Sequence, residues 1–105
     1  MRTLKLNDFE RGWIIGNFSP SLYTSEDIEV GLLHLEKGHK GDGHYHKETT
    51  EYNFIVNGAA LIEGRVLYSG ECFVYEKGER SNVEYILDTD ILCIRLPSLK
   101  GDKYY

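Results

Sequence analysis

The chain has 105 residues, of which 41% are hydrophobic and 28% charged, with 11 glycines against two prolines. This length and composition suit one folded domain with its own core, and they exclude a disordered or collagen-like chain. Seventeen acidic and 12 basic residues give a net charge of −5, which argues against nucleic acid or an anionic membrane as the main partner. Without a long apolar run or a signal-peptide pattern, the sequence predicts a cytoplasmic protein.

Most of the chain carries a strand pattern. The first 27 residues are irregular, and we expect an N-terminal arm over 1–27 whose stretch Trp13 to Phe18 is either a strand or extended chain. Beyond it, short runs of Val, Ile, Leu and Tyr alternate with glycine-containing turns, and Asn57-Gly58 is a strong hairpin signal. The predicted strands are Ile28–Glu36, His44–Lys47, Glu51–Val56, Ala59–Glu63, Val66–Tyr68, Cys72–Glu76, Val83–Leu87 and Ile91–Leu96.

These strands define the predicted architecture. Short strands at even spacing are typical of an all-β sandwich or barrel. We expect a single domain over 1–105, with the barrel at 28–97 and a polar C-terminal tail at 98–105.

Two histidines and a glutamate give the clearest chemical signal. His44 and His46 are two residues apart, so on a strand both imidazoles project to the same face. Glu51 has the opposite parity from His46 and reaches that face only if the chain turns within 47–50. Two imidazoles and a carboxylate suit Fe(II), Mn(II), Ni(II) or Zn(II), with the remaining positions open to water or substrate.

The spacing of Gly38, His44, His46, Glu51 and Gly58 resembles the first sequence motif of the cupin superfamily. The resemblance implies a double-stranded β-helix, or jelly-roll barrel, with the site inside it. It also implies that such a protein is often a homodimer.

The second cupin motif is incomplete in this sequence. Counted from Gly70, Gly78 is present, but Glu76 replaces the proline and Ser81 replaces the histidine that would be a fourth metal ligand. The neighbouring Asn82 offers only its side-chain carbonyl. A His44, His46 and Glu51 site could still hold a metal as a two-histidine, one-carboxylate arrangement, or it could hold none.

Four further residues are predicted to line the pocket: Asn53, Ser81, Asn82 and Arg95. Asn53 lies two residues from Glu51, and so on its face, where it either lines the pocket or forms a core hydrogen bond. Arg95 is a charge within an apolar strand, where it either anchors an anionic substrate, pairs with an acidic residue or extends to the rim.

The opposite face of the same strand predicts a partner. Tyr52, Phe54 and Val56 alternate with Glu51, Asn53 and Ile55. An apolar outer face needs covering by the N-terminal arm or by a second subunit, so we expect a homodimer.

Residues near both ends resemble a narrower group, small single-domain cupins of unassigned function. They are Gly12-Trp13, Gly16-Asn17-Phe18, Pro20-Ser21-Leu22, Leu96-Pro97-Ser98 and Gly101-Asp102-Lys103-Tyr104. The leading hypothesis is a metal-binding cupin that acts on or senses a small molecule in its barrel. The alternatives are a metal-free acid/base enzyme similar to sugar-nucleotide isomerases and epimerases, and a non-catalytic ligand-binding or interaction module.

Overall fold

The computed structural model, which describes residues 1–105, is built almost entirely from β-strands, as the sequence predicts. Its one helical element is a 3₁₀ turn at Leu6–Asp8. No helix has the length and apolar character needed to cross a membrane. The strands are β1 (Trp13–Gly16), β2 (Tyr23–Thr24), β3 (Glu29–Leu35), β4 (Thr50–Asn57), β5 (Ala59–Ile62), β6 (Arg65–Tyr68), β7 (Cys72–Tyr75), β8 (Val83–Tyr85) and β9 (Thr89–Leu96).

The strands form two sheets that enclose one core. The larger sheet has the order β2-β1-β3-β9-β4-β7, and the smaller has the order β6-β5-β8. Strand alternation turns one face of each sheet inward. The buried cluster contains residues of both sheets, namely Ile55, Ala60, Leu67, Val83, Tyr85, Ile91 and Cys93.

The predicted hairpin at Asn57-Gly58 joins β4 to β5. Gly58 has φ +110°, and a Cβ atom there would lie 2.7 Å from the carbonyl oxygen of Asp88. Only glycine fits this conformation and this close approach. The turn therefore fixes how the large sheet passes into the small one.

The N-terminal residues are part of the large sheet rather than a free arm. Strand β1 pairs antiparallel with β3 and parallel with β2. Trp13 packs so closely on β3 that a Cβ atom on Gly31 would lie 2.6 Å from its ring. For Trp13 to Gly16 the structure therefore shows the strand alternative, and Tyr23–Thr24 adds a second short strand within 1–27.

The predicted strand at His44–Lys47 is wrong. This segment is extended but makes only an isolated antiparallel bridge, between Tyr45 and Tyr104. The chain then bends at Lys47 and Glu48, whose backbone N–H groups donate to the Asp102 carboxylate. The segment pairs with the C-terminal residues through Tyr45 and Tyr104 alone and not with a neighbouring strand. No ladder of hydrogen bonds therefore forms.

Candidate functional site

A charged row crosses three strands of the large sheet on its inner face. Register places Arg95 of β9 opposite Glu29 of β3 on one side and opposite Glu51 of β4 on the other. The Arg95 Nε donates to Glu51 Oε1 at 2.8 Å, and its Nη1 donates to Glu29 Oε2 at 3.0 Å. The ring of Trp13 lies 4.5 Å from the guanidinium carbon. Of the alternatives for Arg95, the structure shows the ion pair.

Glu51 is held at both carboxylate oxygens. Asn53, which is buried, donates through Nδ2 to Oε2 at 3.0 Å, while Arg95 occupies Oε1. Burial raises the pKa of Glu51, but the Arg95 charge and the bonds from Asn53 and Arg95 outweigh it and leave the pKa below its usual value. Glu51 is therefore a carboxylate at neutral pH.

His44 is oriented by groups of its own loop and of the loop before β8. Its Nδ1 is hydrogen bonded to the Asp42 carboxylate, and the Ser81 hydroxyl lies 3.3 Å from the same atom. The hydrogen bond from His44 holds the pKa of Asp42 well below its usual range. A carboxylate can only accept, so Nδ1 carries a proton, and in the neutral ring Nε2 keeps the lone pair.

His46 has one ring nitrogen occupied and one free. Its Nδ1 donates to the backbone carbonyl of Asp102. Its Nε2 is buried with no hydrogen-bond partner and lies 4.0 Å from Glu51 Oε1. The His44 and His46 rings meet edge to face, with 5.1 Å between centroids. His46 thus lies between the His44 ring and the Glu51 carboxylate.

Two cavities meet at this cluster. An interior cavity of about 110 Å³ is bordered by His44, Glu51, Asn53, Ser81 and Arg95. A larger pocket of about 380 Å³ opens on the other side, and its walls come from residues 10–20 and from residues 99–103. His44 and Arg95 border both spaces, and His46 borders the larger one. The cluster therefore stands between the barrel interior and the solvent.

Asn82 is the exception among the predicted pocket residues, and for its side chain the prediction is corrected. Ser81 and Val83 are buried, so strand-like alternation turns Asn82 outward, where it is exposed. Only its backbone reaches the site, where its N–H donates to the Tyr75 hydroxyl at 3.2 Å.

The sequence analysis assigned no site role to Tyr75 or to Asp102, although Asp102 is part of the Gly101-Asp102-Lys103-Tyr104 stretch that resembles small single-domain cupins. Tyr75 lies opposite Glu51 in the β4–β7 register and borders the interior cavity, and burial raises the pKa of its hydroxyl. Tyr75 is two residues from Phe73 on β7 and so shares its face of the sheet, a signal that the sequence contained. Asp102 reaches the site from the C-terminal segment, for which strand periodicity gives no signal.

The side chains of the cluster are of the types that bind a metal ion, but they are not arranged as a metal site. Both imidazoles have Nδ1 engaged and Nε2 free, as histidine ligands usually have, and the Glu51 carboxylate retains lone pairs beyond its two bonds. As they stand, however, no three or more His, Cys, Asp or Glu side chains form a group that could hold a metal ion.

Solved structures with the same fold support this reading of the architecture. They include a Klebsiella pneumoniae protein with a double-stranded β-helix domain (TM-score 0.63, 18% identity, 73% of this chain and 69% of that one). A cupin-superfamily sugar phosphate isomerase from Silicibacter pomeroyi matches with a TM-score of 0.54 and 20% identity, over 67% of this chain and 50% of that one. An Escherichia coli pirin in complex with nickel(II) matches with a TM-score of 0.66 and 16% identity, over 84% of this chain and 39% of that one.

The protein has the cupin fold, a double-stranded β-helix. At 16–20% identity these structures establish the fold alone, and the chain spans only half or less of the isomerase and the pirin. No family model and no curated protein matches the sequence.

Proposed function

We propose that this protein binds a divalent transition metal (Fe, Mn, Ni or Zn) through His44, His46 and Glu51, and that it acts on or senses a small molecule in its barrel. The observation that carries the proposal is the buried His46 Nε2, which has no partner and faces Glu51. Buried polar atoms are rarely left unpaired, so a bound group is expected there.

Each residue has a defined part in this proposal. His44 and His46 would donate through Nε2, because Asp42 and the Asp102 carbonyl occupy their Nδ1 atoms. Glu51 would contribute a carboxylate that Arg95 keeps ionised and in place. A metal held by three side chains acts as a Lewis acid at its open positions.

The test is the metal content of protein purified without chelator, measured by elemental mass spectrometry. We expect near-stoichiometric metal in the unaltered protein and its loss in His44→Ala and His46→Ala. His34→Ala is the matched control, since His34 is exposed and hydrogen bonded to Asp90 away from the site. Metal-free protein after reconstitution, or metal retained in both site variants, would contradict the proposal.

A metal-free acid/base enzyme is the second candidate, and the state of Glu51 favours it. Arg95 and Asn53 already occupy both oxygens of this carboxylate, while the free Nε2 of His46 can exchange a proton with a ligand. Arg11, Lys100 and Lys103 border the larger pocket and could attract a phosphorylated sugar.

Thermal-shift measurements with nucleotide sugars and sugar phosphates test this alternative. Stabilisation that is lost in His46→Ala but kept in His34→Ala would support it. An unchanged melting temperature across these ligands would reject it, and would leave the non-catalytic ligand-binding or interaction module as the alternative to the metal site.

We further propose a homodimer formed through the outer face of the large sheet. Tyr52, Phe54 and Val56 of β4 and Val74 of β7 are each at least 40% exposed there, and such a face is costly to leave in water. Light scattering should give twice the chain mass, and Phe54→Lys should give a monomer. A monomeric unaltered protein would disprove this proposal.

A further inference from the structure

We propose that Asp102 is the positioning residue for His46, so that the C-terminal segment 98–105 forms a wall of the site. The consequence for metal binding rests on the proposed function. The consequence for the His46 ring does not, because it concerns the protein without metal.

His46 needs support from outside its own segment. It lies in no strand, and its main-chain carbonyl receives one bond, from the N–H of Gly78 at 2.7 Å. Glu51, by comparison, lies in an eight-residue strand paired on both sides. Without a further contact, nothing in the local backbone would select one orientation of the His46 ring.

Asp102 supplies that contact in two ways. Its backbone carbonyl accepts the Nδ1 proton of His46. Its side-chain oxygens accept the N–H groups of Lys47 and Glu48, each at 3.0 Å. One residue therefore holds both the ring and the two peptide groups that follow it, although it is 56 positions away in sequence.

Asp102 is itself fixed from both sides. After it, Tyr104 and Tyr45 exchange two backbone hydrogen bonds of 2.8 and 2.9 Å, and their rings lie 5.6 Å apart. Before it, the Ser98 hydroxyl donates to Glu29 Oε1 at 2.9 Å. Both Ser98 and Asp102 are buried, with 1% and 8% of their surface exposed. This segment packs as part of the fold.

The chemical result is a single tautomer. A carbonyl oxygen can only accept, so Nδ1 of His46 carries a proton, and in the neutral ring the lone pair is then on Nε2, toward Glu51. Without the Asp102 carboxylate, the N–H groups of Lys47 and Glu48 lose their acceptors. The His46 ring can then move away from the Asp102 carbonyl, and either ring nitrogen can carry the proton.

Nitrogen-15 NMR of the metal-free protein, at a pH where both imidazoles are neutral, measures this directly. We expect His46 to be the Nδ1–H tautomer in the unaltered protein and a mixture of tautomers in Asp102→Ala. His44 should keep its Nδ1–H form in both, because its partners are Asp42 and Ser81. Asp102→Asn retains one acceptor oxygen and should give an intermediate result. Tyr105→Ala is the control, because Tyr105 belongs to the same segment but is exposed.

Persistence of the pure Nδ1–H form of His46 in Asp102→Ala would overturn the inference. So would an equal change at His44, since that would indicate a general loosening of the fold. If a metal binds, its affinity should fall about 10- to 100-fold in Asp102→Ala, as for other groups that orient ligands. A tautomer change without any metal binding would leave this inference standing and reject the proposed metal site.

Discussion

The two halves of the candidate site are built in different ways. Glu29, Arg95 and Glu51 lie on three neighbouring strands, and the sheet register alone brings them together. His44 and His46 lie outside the strands and are oriented by Asp42 and by the backbone carbonyl of Asp102. The strand half is therefore part of the structural frame, whereas the histidine half depends on a few contacts from loops and from the C-terminal segment.

This difference predicts different responses to substitution. Groups in the strand half are buried charges, and removing one leaves its partners unpaired in a poorly solvated place. In the histidine half, the carboxylate that orients His44 belongs to Asp42, whose side chain is 46% exposed, so removing it should alter ring orientation more than folding stability.

The largest expected effect is that of Arg95→Ala. It leaves the carboxylates of Glu29 and Glu51 without their cation, and both side chains are at most 14% exposed. We expect the free energy of unfolding to fall by about 3–5 kcal/mol, measured by chemical denaturation. Arg80→Ala, which removes an exposed arginine bonded to the Gly43 carbonyl, should cost less than about 1 kcal/mol. Similar losses in the two variants would contradict the proposed difference between the halves.

A smaller effect is expected from acid. The folded-state pKa of Glu51 is below its usual value of 4.5, so the unfolded chain takes up a proton at higher pH than the folded one. The stabilisation from this carboxylate is therefore complete above that usual value and is lost as pH falls through the folded pKa.

Denaturation curves collected between about pH 6 and pH 3 test this pH dependence. The unaltered protein should lose stability across that range, and Glu51→Gln should lose less, because its amide does not titrate. Asp42 and Asp102 also have lowered pKa values, so some dependence should remain in the variant. Identical slopes for the two proteins would show that Glu51 contributes no such stabilisation.

The same division explains what the sequence could predict. Alternation along Glu51, Asn53 and Ile55 predicted the inner face of β4, and seven predicted strands match β3–β9 within two residues at each end. The predicted strand at His44–Lys47 was wrong because the alternation of its residues is the same as in a paired strand. In the structure this segment bridges only Tyr104 of the C-terminal segment.

Asp102 was beyond the reach of pattern analysis for a related reason. Its backbone carbonyl and its carboxylate act on residues 46–48, which lie 54 to 56 positions earlier in the sequence, and no periodic pattern indicates such a distant partner. Arg95 was an intermediate case: the charge within an apolar strand was visible, but its two acidic partners became evident only from the β3–β9–β4 register.

The smallest expected effect on stability is that of Asp42→Ala, in the histidine half. Asp42 is 46% exposed on its side chain, so its bond to His44 should add no more than about 1 kcal/mol to the free energy of unfolding. Asn53→Ala is the matched change in the strand half. It removes the amide that donates to Oε2 of the buried Glu51 carboxylate and should cost about 1–3 kcal/mol.

For the histidine tautomers, measured by nitrogen-15 NMR, we expect the opposite order, with the larger change in Asp42→Ala. In Asp42→Ala only the Ser81 hydroxyl remains near Nδ1 of His44, and a hydroxyl can donate as well as accept, so His44 should lose its pure Nδ1–H form while the fold stays intact. Asn53→Ala should leave both histidine tautomers unchanged. If Asp42→Ala were the more destabilising variant, or if Asn53→Ala altered the tautomers, the two halves would be one coupled network and the division drawn between them would be wrong.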